Sequence, residues 1–400
     1  MTDEITHFPE NVQKLLADAR LPTEQLKPVY YELTIGEHFP DDSIRLMEVN
    51  SALIEELDKN QKLVIRGTHD DFATLCTSDQ IFEMKTAETS NTLLLASPLD
   101  SSLSNKENGC VSLKVIQTER VLFWNRDERI LQVNSILHAK YELTPCVPKL
   151  RRIRQLLEEN PYRGRFDDDD ENSLARKITV NDLKNEVQAS DQAIDAYLKK
   201  LNAITVDGHL RLLDFDFRTK LIEYILSLIS IHDWSKDDIP IDKCASEMKE
   251  MCPKSVAKQF LEQIGTISTE GNSIALNAIT ISIHYALDLL RNLEKMKLSE
   301  FMTCWRECVP SEFSIDLEQL KGYVIHSEDT IAYIDMDTLS EKPDERLKSL
   351  FTRKNLWTLA ELEPFLTSLT TSSAEFNSLL TMHTRSIIKD GQKHYVPKYS

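Results

Sequence analysis

Ile204-Thr205-Val206-Asp207-Gly208-His209-Leu210-Arg211-Leu212-Leu213 reads as a strand, a tight turn and a second strand. Asp-Gly between two short apolar runs is a strong hairpin signal, because the turn needs backbone conformations that glycine and aspartate tolerate. Just upstream, Thr179 stands where it can cap a helix through Asp182 and Leu183. Residues 191–201 then place Ile194, Leu198 and Leu201 on one helical face.

The same order recurs down the chain. A second repeat has Asp242 in cap position, Val256, Phe260, Leu261 and Ile264 as an apolar face, and a hairpin over 266–276 turning at Gly271. A third has Phe301, Trp305 and Val309, then Leu317, Leu320 and Val324, and a hairpin through Ser327-Glu328-Asp329 that lacks the glycine. The fourth opens on Thr358-Leu359-Ala360-Glu361, a capping box, continues with Phe376, Leu379 and Leu380, and ends in a hairpin turning at Gly391. Turns at 208, 271, about 328 and 391 mark a repeat of about sixty residues. Apolar helical stretches at 221–231, 279–293 and 345–351 supply first helices for repeats two to four. Pro364 falls inside the last capped helix, tolerable near a helix start. Three helices followed by a two-stranded wing describe a winged helix. The expected domains are 146–216, 217–278, 279–336 and 337–400.

Residues 1–145 have a different period. Runs at 29–33, 43–49, 62–66, 72–77, 80–85 and 92–96 are short, rich in Val, Ile, Leu, Phe and Thr, and separated by polar loops. Residues 111–141 continue this character, with Val121-Leu122-Phe123-Trp124 the most apolar piece. The expected fold class is therefore α+β. A β-barrel-like N-terminal half, with edges that a partner chain would complete, is followed by a tandem winged-helix array.

Composition excludes several function classes. The 400 residues contain only 9 glycines, none arranged as GxGxxG or GxxxxGK[ST], so the usual phosphate-cradling loops are missing. GxSxG and HExxH are absent too. Seven cysteines include no CxxC, and no two histidines stand three to five apart, so no zinc-finger ligand pair is visible. Cys304 and Cys308 flank Trp305 at helical spacing, and core packing by the tryptophan explains them better than a metal or redox pair. Glu55-Glu56 and Glu158-Glu159 are adjacent on helices and diverge. No catalytic residue, cofactor site or metal site is expected. The N-terminus is acidic without an apolar core, and the longest apolar helical stretch is too short to span a bilayer, so a soluble chain with reduced thiols is expected.

With 47 Lys and Arg against 65 Asp and Glu, the net charge is −18, and any DNA contact must be local and weak. Residues 167–171 are a continuous acidic run, expected to be a solvated loop. The second repeat offers Lys254 and Lys258, and the third only Lys321 beside Asp316 and Glu318. The fourth repeat is the best DNA-binding candidate, through Arg353, Lys354, Arg385, Lys389, Lys393 and His394, with Lys398 beyond them. These could pair with phosphates without reading bases, or form ordinary solvated surface. A second basic patch, Lys149, Arg151, Arg152 and Arg154, could meet DNA or an acidic protein surface.

Particular stretches carry a resemblance. Leu63-Val64-Ile65-Arg66-Gly67, Leu75-Cys76, Lys85-Thr86-Ala87-Glu88-Thr89-Ser90-Asn91-Thr92-Leu93-Leu94-Leu95 and Leu156-Leu157-Glu158-Glu159-Asn160-Pro161-Tyr162-Arg163-Gly164 occur in that order. Leu213-Asp214-Phe215-Asp216, Leu317-Glu318-Gln319-Leu320-Lys321-Gly322 and Glu345-Arg346-Leu347-Lys348-Ser349-Leu350-Phe351 follow. Together they resemble the "defective in sister chromatid cohesion" family, a subunit of the alternative replication factor C clamp loader.

The resemblance implies an N-terminal half that forms a shared triple barrel with a small partner subunit and the C-terminal tail of the large clamp-loader subunit. Leu63, Ile65, Leu75, Leu93, Leu94 and Leu95 are the partner-binding candidates there, joined by the basic patch at 149–154. It further implies a nuclear protein whose winged helices dock on the catalytic subunit of DNA polymerase epsilon and contact single- and double-stranded DNA. ATP hydrolysis belongs to other subunits of that complex. The alternative expectation is a winged-helix scaffold of another nuclear complex, in transcription or ubiquitin ligation.

Overall fold

A computed structural model describes residues 14, 17, 31–35, 39–98 apart from Asp42 and Asp70, 129–165, and 176–398 apart from Glu328 and Asp390. The acidic run at 167–171 and the apolar piece at 121–124 lie outside the described residues. The chain divides into two compact units, Met1–Gln61 with Met84–Thr144, and Lys62–Glu83 with Pro145–Ser400.

In the first unit, β1 (Tyr31–Ile35) runs parallel to β5 (Arg129–Pro145), and β5 neighbours β4 (Ile81–Pro98). The runs at 80–85 and 92–96, read as two strands, are one long strand. No Gly or Pro interrupts the threonine-rich sequence between them. Residues 43–49 do not form a strand. They touch β5 at a single bridge, Met47 to Tyr141, flanked by amide bonds Glu48 N to Tyr141 O (2.9 Å) and Tyr141 N to Leu46 O (2.8 Å). Helix α1 (Ser51–Asp58) follows, capped by Asn50, with Leu53 buried. Among the described residues no sheet closes into a barrel.

The second unit begins with an antiparallel pair, β2 (Val64–Arg66) and β3 (Thr74–Cys76), and β3 pairs with the first residues of β4. The sequence pattern grouped this segment with the N-terminal half. Here it is tied to the helices after residue 145. The buried Arg66 guanidinium donates to the Ala189 carbonyl and to the Asp191 carboxylate, and the amide of Gln192 donates to Ser78 O (3.1 Å).

Four repeats follow. The first comprises α2 (Arg151–Glu158), α3 (Val180–Glu186), α4 (Asp191–Lys200) and the hairpin β6 (Ala203–Val206) and β7 (His209–Leu212), with Ile178 bridging Leu210. Thr179 and Asp182 form a reciprocal capping box at the start of α3, as the sequence predicts. The second comprises α5 (Phe215–His232), β8 (Ile239–Pro240), α6 (Ile241–Glu247), α7 (Lys254–Ile264), β9 (Gly265–Ile267) and β10 (Ser273–Leu276). The third has α8 (Ala278–Leu290), β11 (Met296–Lys297), α9 (Leu298–Cys308), β12 (Val324–His326) and β13 (Thr330–Tyr333). The fourth has α10 (Pro343–Arg353), β14 (Trp357–Thr358), α11 (Leu359–Leu366), α12 (Ser373–His383), β15 (Thr384–Lys389) and β16 (Gln392–Pro397).

Repeats two to four share one sheet topology, whereas the first has the two-stranded sheet β6-β7 with the single Ile178–Leu210 bridge beside it. The orders β8-β10-β9, β11-β13-β12 and β14-β16-β15 each place the second hairpin strand in the middle, between the first and a short strand from between the helices. Two local expectations need correction. Asp242 is not the cap of α6; Pro240 holds that position. Asp242 lies in the first turn instead, 2.9 Å from Lys258 and 3.0 Å from Lys254, and these two ammonium groups pull its carboxyl down to about 2. The third helix of the third repeat is only a 3₁₀ turn, Leu317–Leu320, because the Asp316 carboxylate closes a local turn on the amide of Glu318.

Repeats two and three share a continuous core, including fully buried Phe260, Phe301 and Trp305, and this core also takes in Tyr162, Ile204 and Val206 of the first repeat. The fourth repeat has a separate core around Trp357, Leu362 and Phe365. The first has its own around Ile153, Leu183 and Ile194.

Candidate nucleic-acid interface

In the fourth repeat the capping box predicted at Thr358 forms, with Glu361 bonded back to the Thr358 amide at 3.0 Å. It fixes more than a helix start. Lys354 donates to the same carboxylate at 2.7 Å and stands 5.4 Å from the centre of the Trp357 ring, and the Trp357 indole donates to Lys354 O at 2.6 Å. Burial works against the Glu361 charge, yet Lys354 and Thr358 hold the carboxyl below the usual range. Lys354, a candidate phosphate contact, is therefore engaged inside the fold. Arg353, one residue earlier in the last turn of α10, is exposed.

The hairpin β15–β16 carries the other cationic candidates. Its register pairs Arg385 with Val396, Ile387 with His394, Ile388 with Lys393 and Lys389 with Gln392. Side chains alternate between the faces of a strand. One face thus carries Arg385, Ile387, Lys389 and His394, and the other carries Ile388 and Lys393 beyond the buried Thr384 and Tyr395. Arg385, Lys389 and Lys393 are exposed, and Lys393 lies 5.2 Å from the Tyr395 ring centre. His394 is half-buried, with Nδ1 3.1 Å from Gln392 O. Lys398 donates to Thr381 O at 3.2 Å. The sequence reading did not single out Ile387 and Ile388, which are 39% and 81% exposed. Their signal was hidden, since two isoleucines before a turn read first as strand formers.

The second basic patch is largely spent on intramolecular pairing. Arg154 Nη1 lies 2.7 Å from Asp335 Oδ1 and 2.6 Å from Asp337 Oδ2, while its Nε lies 2.6 Å from Glu158. Burial disfavours that charge, and the three carboxylates more than offset it, raising the guanidinium above its ordinary value. Lys149 pairs with Asp71 at 3.1 Å, and Arg151 approaches Leu339 O at 3.5 Å. Arg152 is exposed. Lys149, Arg151 and Arg152 line an open cleft of about 580 Å³ with Gln155, Glu186 and Lys342.

The apolar partner-binding candidates divide between the compact units. Leu75 is 2% exposed, so it is a core residue with no surface to offer a partner. On the same hairpin Leu63 is half-buried and Ile65 is exposed. In the first unit Leu93 and Leu94 are exposed on β4 and Leu95 is half-buried. Exposed Leu33, Ile35 and Ile136 add to the apolar surface of that sheet.

These features define an α+β protein of repeated helix–hairpin elements, with an apolar open sheet in one unit and a cationic hairpin at the end of the other. Residues 44–366 match the family model described as Sister chromatid cohesion protein Dcc1. The chain is 31% identical over 393 residues to "Sister chromatid cohesion protein DCC1" of Danio rerio, covering 96% of this chain and 97% of that one. It is 30% identical over 397 residues to the Homo sapiens protein of the same name, with 96% and 97% covered. Against the Saccharomyces cerevisiae protein identity is 22% over 373 residues, covering 86% and 94%. The chain belongs to the Dcc1 family of sister chromatid cohesion proteins.

Proposed function

We propose that this protein is a non-catalytic accessory subunit of the alternative clamp loader, which loads the sliding clamp during S phase and supports sister chromatid cohesion in the nucleus. The first unit takes strands from a small partner subunit and from the C-terminal tail of the large loader subunit, completing a shared barrel. The observation that carries this reading is the exposed apolar surface of the open sheet, with Leu33, Ile35, Leu93, Leu94 and Ile136 facing solvent. Leu93 and Leu94 are consecutive and face opposite ways, so both faces of the sheet carry exposed apolar side chains. Exposed large apolar side chains of this kind mark an interaction site, and an unpaired strand edge invites augmentation.

The four repeats act as winged helices. The sheet order common to repeats two to four, with a short strand beside the hairpin, supports that assignment. They dock the loader on the catalytic subunit of DNA polymerase epsilon and contact DNA weakly. Arg353, Arg385, Lys389 and Lys393 are the contacts, chosen because they are exposed in a chain of net charge −18.

Co-expression with the small subunit and the large subunit's C-terminal tail, followed by mass measurement of the complex, tests this function. An equimolar ternary complex is expected, weakened by Leu93→Glu with Leu94→Glu. A monodisperse monomer in the presence of both partners would overturn it.

A further inference from the structure

The hairpin β15–β16 is an unusual surface ribbon, because a large apolar side chain, Ile388, stands 81% exposed among its cations. Ile388 stands opposite Lys393, next to the turn at Gly391, and Ile387 stands opposite His394 on the other face. The tip therefore has an isoleucine on each face. Around them the segment 384–398 holds Arg385, Lys389, Lys393 and Lys398 against a single carboxylate, Asp390, in a chain where acidic residues outnumber basic ones. Ile388 is 81% exposed, so burial within the fold accounts for little of its apolar surface.

We propose that this tip is an apolar wedge that packs against an opened base step of DNA, so that the last repeat prefers a single-strand/double-strand junction to continuous duplex. The inference rests on reading the hairpin as a DNA contact, and it names the kind of DNA. Isoleucine is among the side chains that wedge against base steps, and flanking lysine and arginine suit the phosphates on either side. Opening a stacked step in intact duplex is costly, and least so where the base is already unpaired. Four cations on one hairpin of a protein of charge −18 gain too little from counterion release to offset that cost. A junction supplies the opened step at no expense to the protein.

The test uses the full chain with a recessed-end duplex carrying 2-aminopurine at its terminal step, beside a continuous duplex of the same sequence. The wild type should bind the junction about tenfold more tightly, the gain expected from burying an isoleucine-sized apolar surface, and should change 2-aminopurine fluorescence there. Ile387→Ala with Ile388→Ala should abolish both the preference and the fluorescence change while leaving the salt slope intact. Both residues are exposed, and an unchanged melting temperature checks the fold. Equal wild-type affinity for the two DNAs overturns the wedge, as does a preference that survives the double substitution. A double variant that keeps its DNA preference but fails to join a protein complex would make the tip a protein-docking knob and also overturn the wedge. Wild-type protein that binds neither DNA, or whose binding is unmoved by Arg385→Glu, Lys389→Glu and Lys393→Glu together, removes the DNA reading itself.

Discussion

Arg154 and Asp337 are 183 positions apart in the chain, and their side chains meet at 2.6 Å. Asp337 also accepts from the Tyr197 hydroxyl at 3.2 Å, so one carboxylate holds α2 and α4 of the first repeat against the segment after the third hairpin. Arg154 and Asp337 are both mostly buried, so removing one partner strands charge in a poorly solvated place. Asp337→Ala should destabilise the protein by about 1–3 kcal/mol, below the fully buried range because Asp335 and Glu158 still face Arg154. Urea unfolding measures this, and Arg154→Leu combined with Asp337→Leu should recover part of the loss. A single-variant effect inside about 0.5 kcal/mol would show that the cluster is ordinary surface pairing.

That cluster also shows what sequence reading could and could not reach. The repeat was legible because hairpin turns, caps at Thr179 and Thr358, and apolar faces are local signals with a fixed geometry. The fate of the cations was not, because Arg154 and Lys354 look as exposed in sequence as Arg152 and Arg385. Only the fold brings Asp335, Asp337 and Glu361 to them. The same limit explains residues 62–83, where the strand pattern is visible but nothing local says that Arg66 will bond Asp191. The family resemblance was carried by ordered motifs along the chain and is matched by the family finding over residues 44–366.

Trp305 anchors the third repeat inside the core that it shares with the second. Its indole N–H donates to Ser282 O at 2.8 Å, and its ring stacks on Phe301 with centroids 5.4 Å apart, inside the core shared by both repeats. Trp305→Phe removes ring volume and leaves a buried carbonyl without this donor, a loss of about 2–4 kcal/mol. Because the core is continuous, amide exchange should accelerate together in α5, α7 and α8. The fourth repeat, with its separate core, should change less. Protection lost only in α9 would mean that the two repeats open independently.

His284 makes stability pH-dependent. Its ring stacks on Phe215 at 4.4 Å, its Nε2 lies 2.8 Å from Thr219 Oγ1, and burial, helped by Arg218 and Arg291, pushes its pKa down from 6.5 to about 3. The unfolded chain takes up a proton below pH 6.5 and the folded chain does not until about pH 3. Stability from this site is therefore fully present above pH 6.5 and is lost as pH falls through that window. The slope should approach one proton, about 1.4 kcal/mol per pH unit. His284→Gln should flatten the fall between pH 6 and 4 by up to that amount in denaturant titrations. Parallel pH profiles for wild type and variant would place the acid sensitivity elsewhere.

Lys354 and Arg385 separate an internal cation from a contact cation within one repeat. Lys354 is paired with Glu361 at 2.7 Å and both side chains are 19% exposed, whereas Arg385 is exposed on the hairpin. The Glu361 carboxyl is depressed, so its contribution is present above the ordinary carboxylate range and is lost as pH falls through its lowered pKa. Lys354→Ala removes the main group holding it down. It should cost about 1–2 kcal/mol near neutral pH and shift the acid limb of unfolding upward. It should leave the dependence of DNA affinity on salt unchanged. Arg385→Ala should do the reverse, with stability within about 0.5 kcal/mol of wild type and a log–log salt slope reduced by about one. Measuring unfolding and DNA binding on both variants gives four numbers. A slope reduction in Lys354→Ala equal to that in Arg385→Ala would mean that Lys354 leaves Glu361 to reach a phosphate.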